Sequence, residues 1–365
     1  MTLELYIKKY LKDLYSTQKE EVNYRDGCLM TAAQYLYEAT GNAFYKNVIL
    51  DFGAKYVSDD GTLLGFDPKE FNVDKIRFGT ALFFLHKETG QERYNKAIET
   101  MMDNLQRHPR TSNGCFWHKQ NYPHQVWLDG VYMVMPFILM YNNTRGEGAI
   151  TNKDVINEFK HIRDILFNKS KRLYHHAWDE SIAQVWADKQ TGLSPNFWLR
   201  AMGWLLMAMV DCYELLQDDK HSRNSLQEML QECIDGLLPY RDATTRMFYQ
   251  LVDLPQQQGN YIETSGSLMF AYAIKKGLKL NMLTDVDKYA HVADEILISV
   301  QANMLPYKDG KLSLKNICGA AGLGEHPIDG RMRDGSVAYY LSEPIVEDSP
   351  LGATALMMLY AQGLS

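Results

Sequence analysis

Hydrophobic positions recur at spacings of three and four along nearly the whole chain, a helical period and not the alternation of half-buried strands. The spacing predicts helices near 2–20, 27–40, 43–57, 72–89, 92–107, 125–143, 152–168, 198–217, 222–238, 263–279, 286–301 and 350–363. Strand signals are short and confined to connections, as in Met247-Phe248-Tyr249-Gln250-Leu251-Val252. Local chemistry marks several ends. Asn72 before Val73-Asp74 reads as an N-cap, and Thr40-Gly41 and Thr89-Gly90 read as helix stops.

An internal echo organises these helices. Thr40-Gly41-Asn42-Ala43-Phe44-Tyr45-Lys46 returns as Thr89-Gly90-Gln91-Glu92-Arg93-Tyr94-Asn95, and a spacing of 49 residues is one helix–turn–helix unit with its loops. About six such hairpins fill the chain, and closing them in a ring gives an all-α fold, an (α/α)6 barrel. An open helical superhelix is the rival, but a steady period and capping repeats are missing. No Gly/Ser/Pro linker divides the sequence, so residues 1–365 are expected to form one domain, with Leu254-Pro255-Gln256-Gln257-Gln258-Gly259-Asn260 as a loop.

Charge and cysteines narrow the setting. A net charge of −7 argues against nucleic acid or an anionic membrane as partner, since both select a basic face. No segment reaches transmembrane length and Met1-Thr2-Leu3-Glu4-Leu5-Tyr6-Ile7 has no signal-peptide core, so a cytoplasmic location is expected. Cys28, Cys115, Cys212, Cys233 and Cys318 are scattered, consistent with reduced thiols. No second ligand pair follows Cys115-x-x-His118, so neither a metal nor a cofactor is expected. Nothing in the sequence sets an oligomeric state.

All six tryptophans (Trp117, Trp127, Trp178, Trp186, Trp198 and Trp204) lie in the middle quarter, among His118, His124, His175, His176, Asp129, Asp179, Asp188 and Arg200. Flat rings stack on the apolar faces of pyranoses while polar groups bind the hydroxyls, so the mixture suits a sugar site. The plainer alternative is that the indoles wedge helices apart. In a toroid, the loops at one end of the inner helices converge on a cleft, and the candidates do sit at helix starts. Gln125-Val126-Trp127-Leu128-Asp129-Gly130 opens a helix with a carboxylate, either a general acid raised by burial or a simple first-turn acid. Tyr174-His175-His176-Ala177-Trp178-Asp179 is a polar–aromatic loop in which either histidine is a ligand or a cap. Arg200 and Trp204 are four apart on one helical face, so a guanidinium beside an indole can clamp a sugar carboxylate, unless Arg200 pairs with a structural acid.

Three strings in this order, Val126-Trp127-Leu128-Asp129-Gly130, His176-Ala177-Trp178-Asp179 and Trp198-x-Arg200-x-x-Gly203-Trp204, resemble the unsaturated rhamnogalacturonyl hydrolases, the glycoside hydrolases of family 105. Tyr24-Arg25-Asp26-Gly27, Asp74-Lys75-Ile76-Arg77-Phe78-Gly79, Arg333-Asp334-Gly335-Ser336 and Tyr339-Tyr340-Leu341-Ser342-Glu343-Pro344 extend the likeness over nearly the whole chain. The resemblance implies an (α/α)6 barrel. Its implied substrate is a small unsaturated oligosaccharide left by a pectin lyase, carrying a C4=C5 double bond in its non-reducing uronic acid. It also implies hydration of that vinyl ether instead of attack at the anomeric carbon. By position Asp129 is the implied acid and base, and Asp74 the second acid that holds substrate or orients water. Tyr24, His118, His176, Trp198, Arg200 and Trp204 match binding positions, with Arg200 on the carboxylate. Two relatives in kind stay open: an unsaturated glucuronyl hydrolase, and a sugar epimerase or isomerase on the same toroid with His175 or His176 as proton shuttle.

Overall fold

The computed structural model describes residues 2–14, 21–217, 219–326 and 328–364. Its helices are α1 (Leu3–Leu14), α2 (Tyr24–Thr40), α3 (Ala43–Gly53), α4 (Val73–Ile76), α5 (Gly79–Thr89), α6 (Glu92–Gln106), α7 (Leu128–Arg145) and α8 (Asn152–Leu166). They continue with α9 (Leu199–Leu215), α10 (Lys220–Leu237), α11 (Thr264–Lys279), α12 (Val286–Tyr289), α13 (Val292–Ser299), α14 (Val337–Ser342) and α15 (Pro350–Leu364).

The packing closes a ring. α2 lies against α5, α5 and α4 against α7, α7 against α9, α9 against α11, α11 against α15, and α15 returns to α2. Composition explains which helices take these places. α9 is buried without a break from Leu199 to Tyr213, and α11 from Thr264 to Ile274. A helix apolar on every side is stable only when it is surrounded. α3, α6, α8, α10 and α13 each carry one buried stripe and pack outside α2, α5, α7, α9 and α11 respectively. α1 takes the remaining outer place, its Tyr6 and Tyr10 hydroxyls donating to Asp348 just ahead of α15. This is the (α/α)6 toroid expected from the repeat.

The predicted stops are present. Gly41 and Gly90 both adopt left-handed φ of 65°, and their N–H groups close onto the Tyr37 and His86 carbonyls. Several ends shift by a few residues, as where the helix predicted over 43–57 stops at Gly53, and three elements differ in kind. The predicted 72–89 helix is two pieces, because i→i+3 bonds tighten the chain at Arg77-Phe78 where Gly27 of α2 presses in; a Cβ on Gly27 would meet the Arg77 carbonyl carbon at 2.8 Å. The 286–301 helix breaks similarly between α12 and α13. The helix predicted from residue 125 starts at Leu128, because Gln125–Trp127 forms a strand paired with Ala177–Asp179. Of the helix predicted over 2–20, residues 15–20 lie outside the described residues.

A buried polar cluster fills the barrel below the N-terminal ends of the inner helices. Asp211 accepts from the Tyr132 hydroxyl at 3.1 Å, the Tyr272 hydroxyl at 2.6 Å and Lys276 Nζ at 2.8 Å. Arg77 donates to the Tyr132 hydroxyl at 2.8 Å and lies over the Tyr132 ring at 3.8 Å. Burial pushes the Asp211 carboxyl up, but Lys276 and the hydroxyl donors outweigh it and hold it below the usual range. Four charge-assisted or hydroxyl bonds thus tie the junction of α4 and α5 to α7, α9 and α11.

Candidate active site

The N-terminal ends of the inner helices bring the chemistry to one end of the barrel. Tyr24 opens α2, Asp74 opens α4, Asp129 opens α7, Arg200 opens α9, and the buried Glu263 caps α11. The N-terminal dipole ends of α2, α7, α9 and α11 contribute positive potential here, which suits an anionic ligand.

The short ladder between Gln125–Trp127 and Ala177–Asp179 assembles the centre. Trp127 pairs with Ala177, and the Leu128 N–H donates to the His176 carbonyl at 3.1 Å. That register sets His176 Nε2 3.3 Å from Asp129 Oδ2. On its other side, His176 Nδ1 is 2.7 Å from the Tyr340 hydroxyl, contributed by α14. Trp198 leans against the imidazole with centroids 4.8 Å apart, and Trp127 meets it edge-on at 5.3 Å.

Asp74 lies on the other side of His118. Asn72 caps α4 through the Asp74 N–H, and Lys119 Nζ stands 2.7 Å from Asp74 Oδ2. His118 Nε2 is 3.6 Å from Asp74 Oδ1, and the imidazole lies parallel to Trp127 at 4.6 Å. Burial pushes the Asp74 carboxyl up, but Lys119 and His118 overcome this and keep it below the ordinary value. Burial dominates at His118 itself and drives it down to about 4, so this imidazole is neutral at neutral pH. Gly130 permits the approach, because a Cβ there would come within 3.3 Å of His118 Nδ1.

Arg200 is 2% exposed. Its Nη1 donates to the Cys318 carbonyl at 2.6 Å and to Ser265 Oγ at 3.3 Å, and approaches Glu263 Oε1 at 4.0 Å. The guanidinium lies 4.6 Å from the Trp198 ring, so the expected cation–indole contact is made with Trp198 and not with Trp204 four residues on. Trp204 stacks on Tyr132 at 5.4 Å and meets Tyr24 edge-on at 6.3 Å. Asp129 Oδ2, His176 Nε2, His118 Nδ1 and Trp198 Nε1 are among the described buried polar atoms without a hydrogen-bond partner, which leaves unused polar capacity at this end of the barrel.

The structure therefore brings together Tyr24, Asp74, His118, Asp129, His176, Trp198, Arg200 and Trp204. Other members of the aromatic–polar cluster turn away. His175 Nδ1 bonds the Ser194 carbonyl at 2.6 Å and packs on Phe197, so of the paired histidines only His176 faces Asp129. Asp179 accepts from Ser181 and Gln184, and Asp188 from Gln190 and Thr191, both as turn formers. Trp178 donates to the Thr191 carbonyl, Trp117 lies against His124, and Trp186 is buried beside Gly335. Lys119 and Glu263 lie at the site although the sequence did not single them out, and Tyr340 was noted only inside a motif string, with no role. Lys119 was legible as the neighbour of His118, whereas nothing local connects Tyr340 to His176 across 164 residues.

The family model for Glycosyl Hydrolase Family 88 matches residues 4–364. The chain belongs to glycosyl hydrolase family 88. It is 35% identical to a family 105 glycoside hydrolase of C. acetobutylicum over 99% of both chains, with a TM-score of 0.92, and shares the family 105 character its motifs suggested. It is 27% identical to an unsaturated rhamnogalacturonyl hydrolase of Bacillus subtilis over 250 residues, covering 67% of each protein. The fold is also that of the unsaturated glucuronyl hydrolase of Bacillus sp. GL1, with a TM-score of 0.69 at 12% identity over 97% of this chain and 93% of the other. This glycoside hydrolase has, among its described residues, no helix long and apolar enough to cross a membrane.

Proposed function

We propose that this glycoside hydrolase removes the 4-deoxy-4,5-ene uronic acid from the non-reducing end of lyase-generated rhamnogalacturonan disaccharides by hydrating the C4=C5 double bond. The observation that carries the reading is the opposed setting of two acids. Asp74 is held as a carboxylate by Lys119 at 2.7 Å, whereas Asp129 has no Lys or Arg within ion-pair distance among the described residues and faces His176 Nε2 at 3.3 Å. Two carboxyls in unlike surroundings divide the labour, one fixed in charge and one free to cycle a proton.

In this reading Asp129 gives its proton to C4, and cationic character develops at C5 beside the ring oxygen. Water adds there, and the Asp129 carboxylate takes one of its protons. The resulting C5 hemiketal opens the ring, breaking the bond between C5 and the ring oxygen to leave a C5 ketone and a C1 hemiacetal. The hemiacetal then collapses to an aldehyde, breaking the glycosidic bond and releasing the reducing-end sugar. Asp74 accepts from substrate hydroxyls or from the incoming water, Arg200 and Lys119 attract the uronate carboxylate, and Trp198 and Trp204 line the ring site. No enzyme nucleophile attacks the anomeric carbon, so the spaced acid–nucleophile pair of an ordinary retaining glycosidase is not required. The name of the Bacillus subtilis relative supports the pectin-derived substrate.

The test is incubation with unsaturated rhamnogalacturonan disaccharide and, in parallel, with an unsaturated glucuronyl disaccharide. The ultraviolet absorbance of the ene-uronate should decay with the first and much more slowly with the second. Persistence of the absorbance while the glycosidic bond is cleaved would end the proposal.

A further inference from the structure

We propose that Tyr340 is a positioning residue that places the single proton of His176 on Nε2, facing Asp129; the inference rests on the proposed function, in which Asp129 cycles the proton. Tyr340 and His176 are both fully buried. The hydroxyl lies 2.7 Å from Nδ1, and no second acceptor for it is found among the described residues. On the opposite edge of the imidazole, Nε2 stands 3.3 Å from Asp129 Oδ2. The other faces are closed by Trp127 and Trp198, and the titratable groups around the ring are Asp129, Tyr340 and, farther off, His118.

Only one placement of the imidazole proton gives the Tyr340 hydroxyl an acceptor. A proton on Nδ1 would leave that buried O–H unpaired, at the cost of a buried hydrogen bond. With the proton on Nε2, Tyr340 O–H donates to Nδ1 and Nε2–H is aimed at Asp129. Burial, with Tyr339, Asp129 and Cys318 nearby, raises the Tyr340 phenol well above its ordinary value, so the donor persists at any working pH. Its placement is fixed independently. Gln250 Nε2 donates to the Tyr340 carbonyl at 2.7 Å, and Gln250 Oε1 in turn accepts from the Tyr261 hydroxyl at 2.6 Å.

The consequence is chemical. With Nδ1 occupied by the Tyr340 donor, the edge of His176 that faces Asp129 presents an N–H and no lone pair. The proton that Asp129 delivers is therefore regained from the attacking water and not drained into the imidazole. After delivery, Nε2–H stabilises the carboxylate left behind.

The experiment is nitrogen-15 magnetic resonance of the histidine-labelled protein at neutral pH, with the His176 signals assigned by their loss in His176→Gln. The wild type should show a protonated Nε2 and an unprotonated Nδ1 at His176. In Tyr340→Phe the bias on Nδ1 is gone, and the signals should move toward a mixture of tautomers. Turnover of the ene-uronate should fall about tenfold in kcat with KM within about twofold, the scale of one lost hydrogen bond. A wild-type imidazole protonated at Nδ1 overturns the proposal whatever the variant does, and so does a Tyr340→Phe protein with wild-type signals. The spectra need no turnover, so failure of the proposed reaction would not be mistaken for failure of this inference.

Discussion

Lys119 holds Asp74 as an anion: its Nζ sits 2.7 Å from Oδ2, and its charge is the largest influence opposing the burial of that carboxyl. The pair fixes one of the two acids in the cleft, and Lys119→Met should undo this. With the folded-state value of Asp74 depressed, the carboxylate survives well into the acid range in the wild type. Loss of the cation lets burial raise that value, so the acid limb of kcat/KM should move to higher pH while His118 and Arg25 limit the shift. Superimposable pH profiles for wild type and Lys119→Met would show that Asp74 owes its charge to something else.

Arg200 has two attachments, and its variants should separate them. Its Nη1 holds the Cys318 carbonyl and Ser265, while the guanidinium face rests on Trp198. Arg200→Ala leaves a buried carbonyl unpaired and Glu263 without its nearby cation, which should destabilise the fold by about 2–4 kcal/mol. It should also raise KM by tenfold or more. Arg200→Lys keeps the charge but not the planar fork, and should restore most of the stability and only part of the affinity. Thermal unfolding and KM measured on the same preparations check this; a Lys variant with wild-type KM would remove the bidentate role.

How much of this was legible in the sequence depended on the range of the interaction. Helix stops at Gly41 and Gly90 and the cap at Asn72 are local, and the chain pattern located them. The barrel followed from the period and the 49-residue echo because each inner helix is buried over more than half its length. Asp129 at a helix start was also local, but its pairing with His176 depends on the ladder of Trp127 with Ala177. The pattern read those residues as the first turn of a helix, so the choice between His175 and His176 stayed open. Arg200 and Trp204 share a helical face, yet the guanidinium meets Trp198, because the helix start presents the preceding indole to it. Tyr340 and Lys276 act across the ring, and nothing in their neighbourhoods announces it.

Glu158 gives a stability prediction remote from the cleft. Its buried carboxyl accepts from the Phe116 N–H at 3.2 Å, and burial pushes it up to about 8 against the opposing pull of Arg110. A carboxyl raised in the folded state binds its proton there at pH values where the unfolded chain has already lost it. Stability should therefore fall as pH rises from the unfolded value near 4.5 to about 8, with a slope on the order of 1 kcal/mol per pH unit. Glu158→Gln retains the acceptor for Phe116 without the charge. Its denaturant midpoint should vary less over this range, and identical pH slopes for variant and wild type would remove Glu158 as the cause.

Asp129→Asn tests the reaction itself. The amide matches the carboxyl in shape, and Leu128 and Trp127 hold the backbone through His176 and Ala177, so the variant should fold and still bind substrate. It cannot cycle a proton. General acid–base catalysis is worth roughly 10²–10⁴-fold, and here one group serves both protonation and water activation, so turnover should drop by at least the upper figure. The wild type run in deuterated water should place one deuterium at C4 of the released uronic fragment, and water labelled with oxygen-18 should deliver its oxygen to C5. Asp74→Asn should lower kcat/KM yet leave both label positions unchanged, because Asp74 holds its charge throughout and passes no proton to carbon. Label at the anomeric carbon of the uronic sugar, or a product that keeps its double bond, would replace vinyl-ether hydration by direct displacement and take the proton-cycling role from Asp129.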